Sequence, residues 1–413
     1  MLAAPVRTPI GKFGGALAPL SAADLGTAAA RACLERSGLA ADRIDQVVFG
    51  HARQAGGGPN TARQVAFRAG VPVERPAFTV NQACASGLQA VLEAARHVLL
   101  GEARVVLAGG MESMSNTPYL LPRARWGHRL GHDQVVDGMY RDGFDDPLSG
   151  LVMGETAEEL AGEIGVSRGQ ADAYALESQR RCERARAEGR FAAEIAPVEV
   201  PPKGSKAKGT VTVAWDEHPR DGVTAEQLAK LAPVFREGGT VTAGNASGIT
   251  DGAAAVLVAS EEAAREAGLY GNGGVVARIL DWEVVGVEPR VMGRGPVPAL
   301  TRLFERTAER FGIGPAEVDA VELNEAFASQ VVACLAELDE LDLGLDRERV
   351  NPDGGAIALG HPIGCTGARI LVTLLHGLAR RGGRSTPKRG IATLCVSGGM
   401  GAALLVETVE GAA

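Results

Sequence analysis

Three side chains stand out because each combines a reactive group with a turn of small residues. Cys84 lies in TVNQACASGLQA, His361 lies among five glycines in NPDGGAIALGHPIGCTGAR, and Cys395 precedes the glycine turn of ATLCVSGGMGAALL. A thiol can act as a nucleophile, and an imidazole or a second thiol can move a proton. Together these groups could support covalent catalysis.

The position of Cys84 at the start of a predicted helix favours a reactive thiol. First-turn N–H groups and the helix dipole stabilise a thiolate, so we expect a lowered pKa for Cys84. Its small neighbours Ala85, Ser86 and Gly87 would let a substrate come close. The alternative is a buried structural cysteine, which is the usual fate of a free thiol, and the stretch alone leaves both interpretations open.

The surroundings of His361 favour a general acid/base, because imidazole titrates near neutral pH and the loop has no periodic apolar face. A loop histidine bonded to backbone is the alternative, and Cys365 could compete as the reactive thiol. The turn after Cys395 can expose backbone N–H groups as an oxyanion hole. Asn324-Glu325 stands between a predicted strand and helix, where α/β sheets place ligand groups, although a helix-capping asparagine is the simpler interpretation.

The elements that must position these groups alternate between strand and helix. The patterns predict a helix over 22–34, strands over 44–49 and 77–80, an amphipathic helix over 85–99 and a buried strand over 105–108 that ends at two glycines. This alternation is typical of an α/β fold with both sheet faces covered.

The second half of the chain repeats this order. Residues 314–323 resemble 39–48, and Val350-Asn351 opens a glycine-rich segment as Val80-Asn81 does. A helix over 366–378 and a strand before a Gly-Gly-Met turn then follow, as in the first half. The repeat indicates an internal duplication of one α/β unit. The irregular region between the halves is interpreted as an inserted loop domain.

Composition excludes several classes of protein. The net charge of −8 gives no bulk support for a nucleic-acid partner. The apolar runs are too short to cross a membrane, and the first residues lack the features of a signal peptide, so a cytoplasmic protein is expected. Six cysteines without a C-x-x-C pair argue against a zinc site or a disulfide framework.

Taken together, these segments closely resemble the thiolases over nearly the whole chain. The motifs that carry the resemblance keep the family order: RTPIG, NQACASGLQA, GGMESMSNTPYLLPRAR, MGETAEELA, DEHPR, TVTAGNASGITDGAAA, MGRGPVPA, NEAFA, GGAIALGHPIGCTGAR and CVSGGMG.

The resemblance implies a particular architecture. We expect a thiolase-like α/β fold in which duplicated βαβαβαββ halves form a five-layered α-β-α-β-α core with an inserted loop domain. The N-terminal half would comprise 1–116 plus 246–265, the CoA-embracing loop domain 117–245, and the C-terminal half 266–413. The family also implies a homodimer or homotetramer.

The resemblance also implies a reaction, the Claisen condensation of acetyl-CoA with an acyl-CoA to give acetoacetyl-CoA, and the reverse CoA-dependent thiolysis. Cys84 would carry the acyl group and His361 would be its general base. Cys395 would be the acid/base for the second substrate. One oxyanion hole would use His361 and a water held by Asn324, and the other would use the backbone N–H groups of Cys84 and Ser397.

The same resemblance implies where CoA binds. Ser247 would contact the pantetheine and Arg220 would lie near the adenine nucleotide, while Lys203, Lys206 and Lys208 would attract the phosphates or simply be solvated. The remaining substrate-binding positions would be Leu148, Met153, Ala243 and Met292. CoA is then a substrate, and neither a cofactor nor a metal ion is expected.

The sequence departs from the family pattern in three places. Ser397 replaces the usual glycine, which would cost on the order of 1 kcal/mol if its φ were positive. Val152 replaces the histidine of short-chain biosynthetic members, which leaves a broader-chain degradative 3-oxoacyl-CoA or 3-oxoadipyl-CoA thiolase as the alternative. The first strand, before Arg7, is expected to be shortened.

Three rival functions remain. A decarboxylating condensing enzyme of the same superfamily is disfavoured by the second turn cysteine, Cys395. A non-catalytic acyl-CoA-binding protein would not need Cys84, His361 and Cys395 together, and all are present. A hydrolase built on Cys84 is the most remote alternative.

Overall fold

The computed structural model describes residues 1–202, 209–270, 276–382 and 387–409, so Lys203, Lys206 and Lys208 lie outside the described residues. The helices are α1 Ala22–Ser37, α2 Thr61–Arg68, α3 Ser86–Leu99, α4 Met153–Ile164, α5 Arg168–Ala187, α6 Ala225–Ala229, α7 Glu261–Glu266, α8 Pro296–Phe311, α9 Ala328–Glu340, α10 Ala356–Leu359 and α11 Ile363–Arg381. The strands are β1 Leu2–Arg7, β2 Gly11–Lys12, β3 Gln46–Gly50, β4 Ala77–Val80, β5 Val105–Ser113, β6 Tyr119–Leu120, β7 Val136–Asp137, β8 Val198–Val200, β9 Val211–Val213, β10 Thr250–Ala259, β11 Val276–Gly286, β12 Ala320–Leu323, β13 Arg389–Val396 and β14 Met400–Thr408.

The N-terminal part of the main sheet has the strand order β4-β3-β5-β10-β1. β3 is parallel to β4 and to β5, whereas β10 is antiparallel to β5 and to β1. β10 follows the inserted region in sequence, so the chain returns from that region to the sheet that β1 began.

The C-terminal part of the sheet repeats this arrangement. Its order is β12-β13-β14-β11, with β12 parallel to β13 and the other two pairs antiparallel. A parallel bridge between Val321 and Val350 stands where the first half has β4. Both halves therefore share strand order and direction, which confirms the predicted duplication. A short β1–β11 pairing joins them into one sheet.

Helices and strands stack in five layers. α1 and α2 cover the outer face of the N-terminal strands through a core that includes Leu25 and Val65. α3 and α11 lie between the two parts of the sheet, where Leu88 and Leu371 pack with strands of both halves. α8 and α9 cover the outer face of the C-terminal strands. This confirms the predicted α-β-α-β-α core, in which each fully buried leucine contributes about 1.5–3 kcal/mol.

The two central helices approach each other unusually closely. A Cβ on Gly87 of α3 would lie 2.7 Å from the backbone nitrogen of Ala368 in α11, and a Cβ on Gly367 would overlap the backbone of Leu88. Hydrogen in place of a side chain therefore sets the separation of the two helices. That separation decides how near the groups at their N-terminal ends come to each other.

The strand β5 is longer than the sequence predicted. The pattern ended this strand at Gly109-Gly110, but β5 continues to Ser113, with both glycines paired to β10. A Cβ on Gly110 would overlap the carbonyl oxygen of Gly364 in α11. The prediction was wrong because these glycines permit a close approach of backbone rather than a turn.

The region between β5 and β10 holds the hairpin β6–β7, the helices α4 to α6 and the hairpin β8–β9. The N-terminus of α5 is closed by a capping box between Ser167 and Gln170. Among the described residues, no helix is both long and apolar enough to cross a membrane.

Candidate active site

Cys84 lies in a tight turn between β4 and α3. The Asn81 side chain accepts a hydrogen bond from the Ala83 N–H at 3.0 Å, and the Ser86 hydroxyl donates to the Ala83 carbonyl at 2.7 Å. Ala83 has a φ of 45°, in the left-handed region, which costs a non-glycine residue on the order of 1 kcal/mol. These bonds fix the Cys84 backbone just before α3, as predicted.

The small residues after Cys84 have a different role from the predicted one. Ala85 and Ser86 are fully buried, and Gly87 contacts α11 rather than an open space. They allow β3 and α11 to pack against the start of α3, so the expectation that they admit a substrate was wrong.

The His361 ring has a defined tautomer. The Thr366 hydroxyl donates to the Pro362 carbonyl at 3.0 Å, so it accepts a hydrogen bond from His361 Nδ1–H at 2.6 Å. The His361 backbone N–H donates to the Gly248 carbonyl at 3.0 Å. Nε2 therefore carries the lone pair, and no described residue bonds to it. It is free to take a proton from a neighbouring group.

The carboxylate of Glu112 ties the N-terminal half to the His361 loop. It accepts hydrogen bonds from the backbone N–H groups of Ala52 and Arg53 and from that of Gly364, the last at 2.8 Å. His51 Nε2 lies 3.2 Å from the same carboxylate. Because Glu112 is in β5 and Gly364 is in α11, one buried side chain fixes both sides of the site.

Cys395 lies near the end of β13, before the turn to β14. The positive φ angles of this turn fall on Gly398 (83°) and Gly399 (82°), and Ser397 lies outside the left-handed region. Serine therefore fits in place of the family's glycine without backbone strain, and its N–H remains a donor.

One cavity of about 230 Å³ brings most of the predicted site residues together. The predicted residues that line it are Cys84, Met153, Ser247, Met292, His361, Cys395 and Ser397. Cys84 comes from the N-terminal half, His361 and Cys395 come from the C-terminal half, and Met153 comes from the inserted region. The cavity therefore forms where these three parts of the chain meet.

Other predicted residues lie outside the cavity lining. Leu148, Arg220 and Ala243 are exposed. Leu148 remains close, with Cδ1 at 3.8 Å from the Cβ position of Gly398. The Arg220 N–H donates to Gln179 at 3.3 Å. The structure thus places these residues on the surface rather than at the reacting groups.

Asn324 is buried at the end of β12, and no described residue bonds to either polar atom of its amide group. Its neighbour Glu325 is fully bonded. The Glu325 carboxylate accepts from Tyr174 at 3.0 Å, Ser178 at 2.7 Å, Asn351 at 2.9 Å and the Ile357 N–H at 3.0 Å. These bonds fix the backbone beside Asn324, whose amide keeps unused capacity to hold a small polar molecule.

Burial determines the pKa values of the three reactive groups. It raises the pKa of the Cys84 thiol, although hydrogen bonds from the Ser397 and Cys84 N–H groups and the charge of Arg53 oppose the rise. The expectation of a lowered Cys84 pKa was therefore wrong, because desolvation exceeds the effect of the helix start.

The other two groups are shifted in the same sense, toward the neutral form. Burial, with the nearby charges of Arg369 and Arg53, lowers the pKa of His361 to about 3. Burial and the negative charge on ionised Cys84 raise the pKa of Cys395 well above its ordinary value. At neutral pH the unliganded site therefore holds two thiols and a neutral imidazole.

Sequence reasoning missed several lining residues. Arg53 lies three residues after the end of β3, and Tyr140, Gly143 and Phe144 come from the inserted region. The position of Arg53 just beyond the carboxyl end of a parallel strand was a usable signal, since ligand groups gather there in α/β sheets. The inserted residues follow no periodic pattern and could not have been assigned.

With this geometry in place, comparison with known proteins assigns the family. Residues 1–262 match the family model described as Thiolase, N-terminal domain, and residues 274–408 match Thiolase, C-terminal domain. The chain belongs to the thiolase family. It is an acyltransferase, as the sequence predicted.

Individual relatives are similar over nearly their full length. The chain is 46% identical over 401 residues to an acetyl-CoA acetyltransferase from Allochromatium vinosum, with 97% of each chain covered. It matches the structure of acetyl-CoA acetyltransferase from Syntrophomonas wolfei with a TM-score of 0.92 and 39% identity, covering 99% of this chain and 98% of the other. It also matches human mitochondrial 3-ketoacyl-CoA thiolase in complex with CoA, with a TM-score of 0.89, 40% identity and coverage of 99% and 98%.

Among the described residues, no group of three His, Cys, Asp or Glu side chains is placed to hold a metal ion. The expectation that the enzyme needs no cofactor stays a prediction.

Proposed function

We propose that the enzyme condenses acetyl-CoA with an acyl-CoA to form acetoacetyl-CoA, and catalyses the reverse thiolysis, through an acyl group on Cys84. The observation that carries this proposal is that Cys84, His361, Cys395 and Ser397 line one cavity. The names of the relatives, acetyl-CoA acetyltransferase, support the choice of substrates.

In the first half-reaction, His361 Nε2 takes the Cys84 proton while the sulfur attacks the thioester carbonyl. The lone pair on Nε2 supports this role, since Thr366 holds the Nδ1 proton. The N–H groups of Cys84 and Ser397, which oppose the rise of the Cys84 pKa, would then hold the oxyanion. Cys395 donates its proton to the departing CoA sulfur, which leaves an acyl group on Cys84 and a thiolate at Cys395.

In the second half-reaction, the Cys395 thiolate removes a proton from the methyl group of acetyl-CoA. The resulting enolate would be held by His361, which is now protonated, and by a water bound to the Asn324 amide. Its carbon attacks the acyl carbonyl, and the Cys84 sulfur leaves with the His361 proton. Atoms and charges return to the starting state.

The coupling between the two thiols supports this order. Negative charge on Cys84 raises the pKa of Cys395. An acylated Cys84 cannot ionise, so in the acyl-enzyme no charge on Cys84 opposes the ionisation of Cys395. This supports a role for Cys395 as the base of the second half-reaction.

CoA would occupy the mouth of the same cavity. Met153, Ser247 and Met292 line it and are proposed to contact the pantetheine. Leu148, Ala243 and Arg220 are exposed and would meet the outer part of CoA. The CoA complex of the human structural relative supports a CoA site in this fold.

Three further assignments stay proposals. We place the enzyme in the cytoplasm, supported by six cysteines that are all free thiols. We propose a homodimer or homotetramer, supported by the exposure of Trp126 (83%) and Leu130 (95%) between β6 and β7. The division into 1–116 plus 246–265, 117–245 and 266–413 is retained as the proposed domain organisation.

A broader-chain 3-oxoacyl-CoA thiolase is the second candidate. Val152 lines the cavity beside Met153 and makes this part of its wall apolar. An apolar wall accepts additional methylene groups at little cost.

The Cys395→Ala variant tests the proposal. It should still transfer the acetyl group of radiolabelled acetyl-CoA to protein, although more slowly because the departing CoA must take its proton from water. It should lose condensation by at least about 100-fold because the methyl proton has no base. Cys33→Ala is the matched control, since Cys33 is buried in α1 away from the cavity. Condensation by Cys395→Ala at the rate of Cys33→Ala would contradict the proposed mechanism.

A further inference from the structure

A buried arginine lines a cavity whose wall is otherwise mostly apolar. Arg53 is 7% exposed, and its neighbours in the lining include Met114, Tyr140 and Phe144. Proton transfer and acyl transfer, as derived above, make no use of this side chain. A cation at such a site is costly unless an anion compensates it.

Among the described residues, the guanidinium group of Arg53 has no hydrogen-bond or ion-pair partner. Its Nε is buried without a hydrogen bond to any described residue, and no described carboxylate forms an ion pair with the side chain. The buried carboxylate of Glu112 is bonded instead to the backbone N–H groups of residues 52, 53 and 364 and to His51. The Arg53 donors therefore remain available to a ligand.

Gly143 fixes the position of this group. A Cβ on Gly143 would overlap the Arg53 guanidinium. The planar group thus lies directly against the backbone of the inserted region. A guanidinium group binds a carboxylate with two parallel hydrogen bonds.

We propose that Arg53 is a specificity-determining residue that binds a carboxylate at the far end of the acyl chain. The substrate class is then a 3-oxoacyl-CoA that ends in a carboxylate, of which 3-oxoadipyl-CoA is a suitable probe. This inference rests on the proposed thiolase function, because the acyl chain extends from Cys84 into the cavity that Arg53 lines.

Thiolysis of 3-oxoadipyl-CoA would use the same three reactive groups and return each of them to its starting protonation state. Cys84 loses its proton to His361 and attacks C3, and the C2–C3 bond breaks. The C2 carbanion takes a proton from Cys395, which releases acetyl-CoA and leaves a succinyl group on Cys84. CoA then gives its thiol proton to Cys395 and attacks the thioester, and the Cys84 sulfur recovers its proton from His361. Throughout, the distal carboxylate would stay on Arg53.

The test compares two substrates of equal chain length, 3-oxoadipyl-CoA and 3-oxohexanoyl-CoA, by kcat/KM for thiolysis. The wild-type enzyme should favour 3-oxoadipyl-CoA by at least about tenfold, because a methyl end leaves the buried guanidinium unpaired. Arg53→Met should lower that ratio by about 10- to 100-fold. Arg53→Lys, which keeps the charge without the planar fork, should give an intermediate ratio.

Arg141→Met is the matched control, because Arg141 is exposed in the same inserted segment as Gly143 and does not line the cavity. It should keep the wild-type ratio. The ratio of the two kcat/KM values within each variant separates carboxylate recognition from a general effect on the Cys84 thiol. A general effect would lower kcat/KM equally for both substrates.

A wild-type ratio of one or less, or an equal loss of both activities in Arg53→Met, would overturn the inference while the thiolase function stands. Absence of thiolysis with every substrate, including acetoacetyl-CoA, would instead overturn the proposed function. If Arg53→Met does not fold, Gly143→Ala serves in its place, since it displaces the guanidinium and should lower the same ratio.

Discussion

At the scale of single residues, Cys84 and His361 are both neutral in the site, and they become reactive only when a substrate is present. Cys84 and Cys395 have raised pKa values and His361 has a lowered one, all chiefly through burial. An ion pair between Cys84 and His361 would be costly in the empty cavity. It becomes favourable when the thiolate is consumed by attack on a thioester, whose oxyanion the Ser397 N–H can hold.

The low pKa of His361 has a consequence for stability. Folding lowers this pKa from 6.5 to about 3, so below pH 6.5 the unfolded chain binds a proton that the folded chain does not. Stability is then lost as pH falls from 6.5 toward 3, at about 1.4 kcal/mol per pH unit for one group. Asp251, whose pKa is raised to about 6, acts with the opposite sign.

A comparison of the wild type with His361→Asn separates the contribution of His361 to the pH dependence of stability from that of opposing groups such as Asp251. Between pH 7.5 and pH 5, urea denaturation should show the wild type losing about 2 kcal/mol more unfolding free energy than His361→Asn. His132→Asn, at an exposed position, should parallel the wild type. Equal pH dependence in wild type and His361→Asn would show that His361 is protonated in the folded chain.

At the scale of elements, the site depends on how closely α3 and α11 pack. Cys84 precedes α3 and His361 precedes α11, and Gly87 and Gly367 set the distance between the two helices. A larger residue at this crossing would separate the proposed nucleophile, Cys84, from its proposed base, His361, without touching either one.

Gly87→Ala should therefore destabilise the fold by about 1–3 kcal/mol and reduce acyl transfer more than binding of CoA. Gly377→Ala is the matched control in α11, because a Cβ there meets only the Arg380 side chain at an ordinary 3.8 Å. It should be neutral, or stabilising by up to about 1 kcal/mol. Thermal melts measure the change in stability, and kcat measures the change in acyl transfer. Equal stability and equal kcat in the two variants would contradict the role given to the helix crossing.

Sequence patterns predicted the helices and strands well, but they predicted the pKa shifts and charged groups of the site poorly. Periodicity and the internal repeat were sufficient for the alternation of strands and helices, the duplicated unit, the central helices and the turn before Cys84. They failed at Gly109 and Gly110, which look like a turn but line a close contact with α11. They also failed for the direction of the Cys84 pKa shift and for Arg53, because burial depends on residues far apart in sequence.

For the whole molecule, duplication brings together the groups that the proposed two-step reaction needs. Cys84 comes from the N-terminal half, whereas His361 and Cys395 come from the equivalent elements of the C-terminal half. Neither half holds a complete set of groups. The carboxylate of Glu112 in the N-terminal half accepts a hydrogen bond from Gly364 in the C-terminal half, which holds the groups of the two halves in fixed relative positions.

The location of the acyl group after exposure to acetyl-CoA alone tests this account most directly. Peptide mass spectrometry of rapidly acid-quenched enzyme should find one acetyl group on the peptide that contains Cys84, and none in the Cys84→Ser variant. Acetyl found instead on Cys365 or Cys395, or equal labelling of the wild type and Cys84→Ser, would contradict the assignment of Cys84 as the acyl carrier.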